Sequence, residues 1–577
     1  MCMLKEKEKK IIFSVAIVIG LIIICFYVVR FNTINIDSSS STQLVLDKDN
    51  VTKINIEIDE STWKDLLDNA ATEEYYSANV TINDETFYNV GLRTKGNSSL
   101  ANVARDENSD RYSLKIKFDK YVDGQTYNGI EKLALNNNYQ DPTYMKEYLS
   151  YEIFSSLGVP TPEYSYASIS INGEPWGLYL AIEDIDERYI KKYYGSVDGN
   201  LYKPETMNLN NDNKGLKEEN TQKGMEGNIP QQIPNDIPEG GFNEPIENGA
   251  GNMLPNFPAD IPEGMGNGMQ GNRQDMMGGF NKGNNDGADL KYIDDNIESY
   301  STIIESAEFK TTTEADYEKI VEMIKNLNNG DNLEEYLNVE EILKYFAVNT
   351  FLVNLDSYSG GMYHNYYLYE RDGVFEILPW DLNMSFAGFG INNASSAVNF
   401  PIDSPVTGSL EDAPLIGKLL EVEEYKELYH SYLNQILENF ISNEGFNNLV
   451  TKINDMIKDY IKEDVTAFYI YDEYESAVSE LRAFMQDRSS SVISQLNGEQ
   501  SSTEYGTVET AVDLSILGGQ EQMGMGGNKD GKFDMNNIPG EMNGGNNQMF
   551  PPNMNNMSPS ENIPTNDQSS GIEKEDA

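Results

Sequence analysis

Asn349-Thr350-Phe351-Leu352-Val353-Asn354-Leu355-Asp356, then His364-Asn365-Tyr366-Tyr367-Leu368-Tyr369, then Leu378-Pro379-Trp380-Asp381-Leu382-Asn383 decide how this chain is read. The order is helix, polar loop, hairpin and acidic turn. Residues 366–370 and 374–378 are β-prone runs flanking Arg371-Asp372-Gly373, whose glycine supplies the positive φ of a short hairpin turn. With the turn centred on Asp372, Asn365 falls opposite Pro379, and His364, Asn365 and Asp381 gather at the open end near Asp356. Two carboxylates and a carboxamide there suit a divalent cation held by hard oxygen ligands, beside a separate carboxylate acting as base.

Outward from this stretch the periodicity is helical. Residues 317–327, 339–353, 425–440, 446–461 and 474–496 carry apolar positions three and four apart, and Asn338 with Glu341 forms a capping pair. Residues 290–498 therefore read as a mainly helical lobe with the hairpin at one end. Upstream, 51–58, 79–82, 87–93 and 112–118 alternate as strands, and 164–171 and 177–182 flank the hairpin signal Asn172-Gly173. A helix beginning at Asp141-Pro142 uses Met145, Leu149, Ile153, Phe154 and Leu157 as its apolar face. Residues 49–203 thus form an α+β lobe with an antiparallel sheet and one main helix.

Residues 204–289 and 499–577 are dominated by Gly, Asn, Met, Pro and Gln and are expected to be disordered. At the other end, 11–29 is a nearly unbroken apolar run preceded by Lys5, Lys7, Lys9 and Lys10. It reads as a transmembrane anchor over 11–30, with residues 1–10 cytoplasmic, a linker over 31–48 and the remainder outside the cytoplasm. A cleaved signal peptide is the rival reading.

The bulk composition excludes several classes. A formal charge of −52 over 577 residues opposes nucleic-acid binding. Both cysteines, Cys2 and Cys25, sit at the N-terminal end, so the rest of the chain has neither a disulfide nor a thiolate metal site. With only two histidines, His364 and His430, a histidine-rich zinc site is excluded as well.

Four further motifs, together with one from the opening stretch, share one order along the chain. They are Leu92-Arg93-Thr94-Lys95-Gly96-Asn97-Ser98-Ser99, Tyr112-Ser113-Leu114-Lys115-Ile116-Lys117-Phe118, Asp141-Pro142-Thr143-Tyr144-Met145-Lys146-Glu147, Asn172-Gly173-Glu174-Pro175-Trp176-Gly177-Leu178-Tyr179 and Pro379-Trp380-Asp381. Each is weak alone, but in this order the chain resembles the CotH family of atypical protein kinases, named for a spore-coat protein. The resemblance spans most of 51–203 and 290–497. It implies a two-lobed atypical protein-kinase-like fold, ATP with Mg2+ or Mn2+, and phosphorylation of Ser or Thr on spore-coat or envelope proteins. The glycine loop, His-Arg-Asp and Asp-Phe-Gly of ordinary kinases are absent.

By this analogy Asp356 is the catalytic base, and Asp381 with Asn365 holds the metal. Lys117 is preferred over Lys115 as the lysine contacting the α/β-phosphates, and Glu147 over Glu152 as its carboxylate partner. Arg93 and Lys95 flank an anion-binding loop, and Glu183 marks the hinge beside the adenine. The bland readings are a helix-capping Asp356, solvated strand lysines and a boundary Glu183. His364, between aromatic residues, reads as a packed imidazole. Asn383 stands where the family pattern usually has a second acid, which raises the possibility of reduced activity. The alternative function is a non-catalytic scaffold in coat or envelope assembly. A glycosidase using Asp356 and Asp381 leaves the lysines unexplained.

Overall fold

A computed structural model of the chain describes residues 45–206, 287–442 and 444–519. The expected cytoplasmic segment, membrane anchor and most of the linker lie outside the described residues, as do most of the insert and the last part of the tail. Among the described residues no helix is long and apolar enough to cross a membrane.

The alternating segments form seven strands: β1 (Thr52–Glu57), β2 (Tyr76–Ile82), β3 (Glu85–Lys95), β4 (Ser113–Lys117), β5 (Lys132–Asn136), β6 (Tyr164–Ile171) and β7 (Glu174–Glu183). They do not make the open sheet of a kinase-like lobe. They close into a barrel in the order β1-β2-β3-β4-β5-β7-β6, which overturns the expected two-lobed kinase-like fold. Closure comes from β1 pairing parallel to β6, Thr52 opposite Ala167 and Ile56 opposite Ile171. Every other neighbouring pair is antiparallel. Hairpin signals announce antiparallel neighbours, whereas a parallel contact between strands more than 100 residues apart has no local signature.

Alternation sorts the side chains. Ile54, Ile56, Val80, Leu92, Leu114, Ile116, Leu133, Leu135, Tyr179 and Ala181 fill the barrel. The opposite face of β7 and β6, with Leu178, Leu180, Ile182 and Tyr166, joins a second core built by the helices. Helix α1 (Glu60–Asp68) is capped by Asp59, which accepts from Ser61 and Thr62 N–H groups. The main helix of this part, α2, runs Lys146–Ser156. It starts later than its Asp141-Pro142 signal because Asp141 first closes a turn, its carboxylate accepting the N–H groups of Thr143 and Lys146 at 2.9 Å each. Helix α3 (Glu187–Tyr194) follows the barrel.

The helices α4 (Glu314–Asn329), α5 (Val339–Leu352), α6 (Pro414–Leu420), α7 (Glu423–Ile436), α8 (Gly445–Glu463) and α9 (Tyr471–Leu496) surround the hairpin. The hairpin is β9 (Tyr366–Arg371) and β10 (Val374–Pro379), with Val374 opposite Arg371 and Pro379 opposite Tyr366. The turn is therefore the two residues Asp372-Gly373, at φ 56° and 84°. This moves the expected register by one residue. A third strand unseen in the sequence, β8 (Asn200–Tyr202), adds to β9 and carries the chain from the barrel part directly to the hairpin.

Two buried arginines fix the packing, one between these parts and one within the helical part. Arg111 from the barrel part donates to both Asp464 oxygens at 2.9 Å and to the Leu178 carbonyl at 2.5 Å. Arg488 of α9 donates to the carbonyls of Thr350, Phe351, Val398 and Phe400. It thereby adds a donor to two carbonyls in the last turn of α5 and binds that turn to the segment 398–400.

Candidate active site

The outer face of β3, β4 and β5 forms the floor of the site. Because Leu92, Leu114, Ile116, Leu133 and Leu135 point into the barrel, Arg93, Lys95, Ser113, Lys115, Lys117, Lys132, Ala134 and Asn136 point away from it. Lys95 lies opposite Ser113, and continuing the β4–β5 register puts Ser113 opposite Asn136. Serine is small enough for Lys95 Nζ to reach across it to Asn136 Oδ1, at 2.6 Å. Asn136 Nδ2 in turn donates to Glu147 Oε2 at 2.8 Å. One row away, Lys115 Nζ stands 2.6 Å from Asp184 Oδ2, with Lys132 Nζ at 3.8 Å from the same oxygen.

The roof comes from the end of α5 and the hairpin. Val353 takes a left-handed conformation (φ 51°) and stops α5. Gly360 then packs so tightly under the loop that a Cβ there would lie 1.6 Å from the Leu355 carbonyl oxygen. This places Asp356 beside the open end of the hairpin. His364 Nε2 lies 2.7 Å from Asp356 Oδ1. Asn365 Nδ2 donates to Asp356 Oδ2 at 3.0 Å and to its carbonyl at 3.1 Å. Asn365 and Asp381, flanking the two strands, are both left-handed, at φ 57° and 56°. Asn and Asp tolerate that region better than other side-chain-bearing residues. Glu147 from α2 closes the far side, its Oε1 accepting the Leu382 N–H at 3.4 Å.

The electrostatics follow from this crowding. Burial pushes the Glu147 carboxyl up to about 7, and the nearby Asp381 adds to the rise. Asp381 is raised by burial and by Asp356, against the pull of Lys95 and Lys203. Burial lowers the Lys95 ammonium although Asp381 and Glu147 oppose it. Asp184 is held down at about 2: burial alone would raise it, but Lys115 and Lys132 outweigh that. Burial works to lower His364, yet Asp356 carries it upward.

A divalent cation fits this donor set. Asp381 raises the Glu147 carboxyl, and that repulsion is lost when a cation lies between the two, while Asn365 retains its amide oxygen as a neutral donor. Among the described residues no three His, Cys, Asp or Glu side chains converge as a ready-made cage. Magnesium usually takes one or two carboxylates and completes its shell with phosphate and water oxygens. Lys95, Lys115 and Lys203 supply cations beside that position.

The structure therefore brings together Asp356, Asn365, Asp381, Glu147 and Lys95 from the sequence-based set. It does not bring the other three. Lys117, at the end of β4, faces Asp119 at 3.7 Å. Arg93 pairs with Glu73 at 2.6 Å. Glu183 is occupied by Arg188 and Lys192 and accepts the Glu163 N–H at 3.0 Å. Lys115 and Asp184, each one or two residues away, instead pair with each other, because strand register and the path of the chain after β7 decide which member of an alternating pair meets the acid. Lys203, lying 5.9 Å from the Tyr367 and Trp380 ring centres, enters through β8. His364 is the packed, hydrogen-bonded imidazole expected, and its hydrogen-bond partner is Asp356.

The family model described as CotH kinase protein matches residues 92–236 and 272–492. Inner spore coat protein H of Bacillus subtilis (strain 168) is 21% identical over 342 residues, covering 59% of this chain and 71% of the relative. Inner spore coat protein H-like protein of the same strain is 31% identical over 117 residues, 20% of this chain and 36% of that relative. The family match covers more than half of the sequence and includes both halves of the site, and the chain belongs to the CotH kinase protein family.

Proposed function

We propose that this protein is a metal- and nucleotide-dependent phosphotransferase of the spore coat or spore envelope, moving the γ-phosphate of ATP to a Ser or Thr hydroxyl of a coat or envelope protein. The observation that carries the reading is the meeting of the Lys95–Asn136–Glu147 chain with Asp381 and Asp356, residues that lie up to 286 positions apart in sequence. Family membership and the similarity to inner spore coat protein H support the same direction.

In this reading Asp381, Glu147 and the Asn365 amide oxygen hold Mg2+ or Mn2+, which when bound neutralises phosphate charge. Lys95 and Lys115 face the nucleotide phosphates. Asp356, its carboxylate oriented by His364 and Asn365, accepts the proton of the acceptor hydroxyl as the new O–P bond forms and the bond to the β-phosphate oxygen breaks, releasing ADP.

The test is transfer of label from γ-labelled ATP to coat proteins by the full chain, with Mg2+ or Mn2+ and with chelator. Metal-dependent labelling of Ser or Thr, abolished in Asp381→Ala, is expected. A wild-type chain with neither labelling nor a metal-dependent thermal shift with ATP would make it a non-catalytic scaffold.

A further inference from the structure

The family match stops at residue 492, but the chain remains packed to Gly519. Residues 499–519 form a strap across the helical part, beyond the point where order was expected to fade. Asp403 N–H donates to the Ser502 carbonyl at 2.7 Å. Asn399 binds Val508 twice, its amide N donating to the Val508 carbonyl at 2.8 Å and its amide O accepting the Val508 N–H at 2.9 Å. Val512 and Leu517 are buried.

Gly518 and Gly519 lie between the turn that leads into α2 and the loop after Asp381. A Cβ on Gly518 would lie 2.4 Å from Pro142 Cδ and 2.6 Å from the Gln140 carbonyl oxygen. One on Gly519 would lie 2.5 Å from the Gly388 carbonyl oxygen. Pro142 leads into α2 and Glu147. Gly388 closes the turn after Asp381, where Phe386 N–H and Ala387 N–H also bind the Leu352 and Val353 carbonyls at the end of α5. The amine of Lys146, next to Glu147, is fully buried and makes a long hydrogen bond of 3.4 Å to the Gly518 carbonyl. A buried ammonium needs such oxygen partners, and the strap supplies one. Nothing in the phosphotransfer reading uses this arrangement.

The geometry points to Gly518 and Gly519 as positioning residues: the strap wedges the turn that leads into α2 and Glu147 against the loop after Asp381, and so sets the spacing at which the two acids share a cation. This rests on the reading of that acid pair as the cation site. The carboxylates are held from behind by a segment absent from the family match, and a close approach that only glycine permits fixes how far apart they stand.

The experiment uses the full chain, Gly518→Val, Gly519→Val, and truncations after Thr510 and after Gly519. Hydrogen–deuterium exchange without ligand reads the two loops, and electron paramagnetic resonance reads Mn2+ affinity in the presence of ADP. Both valine variants and the truncation after Thr510 are expected to exchange faster at 140–147 and 382–388, with β1–β7 unchanged, and to bind Mn2+ roughly tenfold more weakly or worse. The truncation after Gly519 is expected to match the full chain in both. Where a valine variant loses its global fold, the truncation after Thr510, which forces no clash, decides. Unchanged exchange in both loops, or a change spread evenly over the whole chain, overturns the inference. Absence of Mn2+ binding by the wild type sinks the cation-site reading, while the exchange measurement still reports whether the strap holds the loops.

Discussion

His364 Nε2 lies 2.7 Å from Asp356 Oδ1, and Asn365 Nδ2 lies 3.0 Å from Asp356 Oδ2, so both oxygens of the carboxylate are held by consecutive residues at the start of β9. This carboxylate is oriented by the residues that lead into the hairpin. Asp356→Asn is expected to cut transfer by roughly 10²–10⁴ if general-base help is lost, with nucleotide affinity kept. His364→Gln, which retains a donor, should lower kcat less than His364→Leu at similar KM for ATP. Equal kcat in both His364 variants would remove the orienting role.

Lys115 and Lys117 share one face of β4, but only Lys115 reaches Asp184. Lys115→Met is expected to raise KM for ATP by roughly tenfold or more, through loss of a cation in a water-poor site. Lys117→Met should leave it near the wild-type value. Steady-state kinetics on the two variants checks this, and the reverse ranking would restore the lysine preferred from sequence.

Asp464 accepts two bonds from Arg111, and both side chains are fully buried. Asp464→Ala leaves an uncompensated guanidinium between the barrel and the helical part, and should cost about 3–5 kcal/mol. The double variant Arg111→Leu with Asp464→Leu is expected to recover part of this loss. Denaturant titration with a shared slope measures both.

Glu341 is buried on α5, and burial pushes its carboxyl up to about 7, with Glu376 adding to the rise against Lys344. Its Oε1 has no hydrogen-bond partner among the described residues. The folded chain therefore holds this proton more tightly than the unfolded chain, and stability falls as pH rises from about 4.5 to about 7. Glu341→Gln should remove that slope and raise stability above pH 7 by on the order of 1–3 kcal/mol. Melting curves from pH 4 to 8 test it. A larger loss at high pH in the variant would contradict the assignment.

What the residues announced by themselves is local. Asp372-Gly373 between two β-prone runs announced the hairpin, Asn338 announced the start of α5, and the ordered motifs from Leu92 to Asp381 announced the family. These signals depend on backbone preferences and short periods, which a few neighbouring residues encode completely. Period-two alternation says that Lys115 and Lys117 share a face, but not which of them meets Asp184. The one-residue shift in hairpin register was likewise invisible until Arg371 and Val374 paired.

Tertiary structure alone decided the rest. Barrel closure joins β1 to β6, β8 joins the hairpin from 164 residues upstream of β9, and Gly518 meets Pro142 across more than 370 residues. Each contact is selected by the burial of surfaces that do not exist until the other elements have formed. The same long-range packing made Asp184 a partner of Lys115 and left Glu183 to Arg188. Sequence placed the acids of the site within a residue or two, and the way the barrel, α2 and the strap pack together determined which of their neighbours face them.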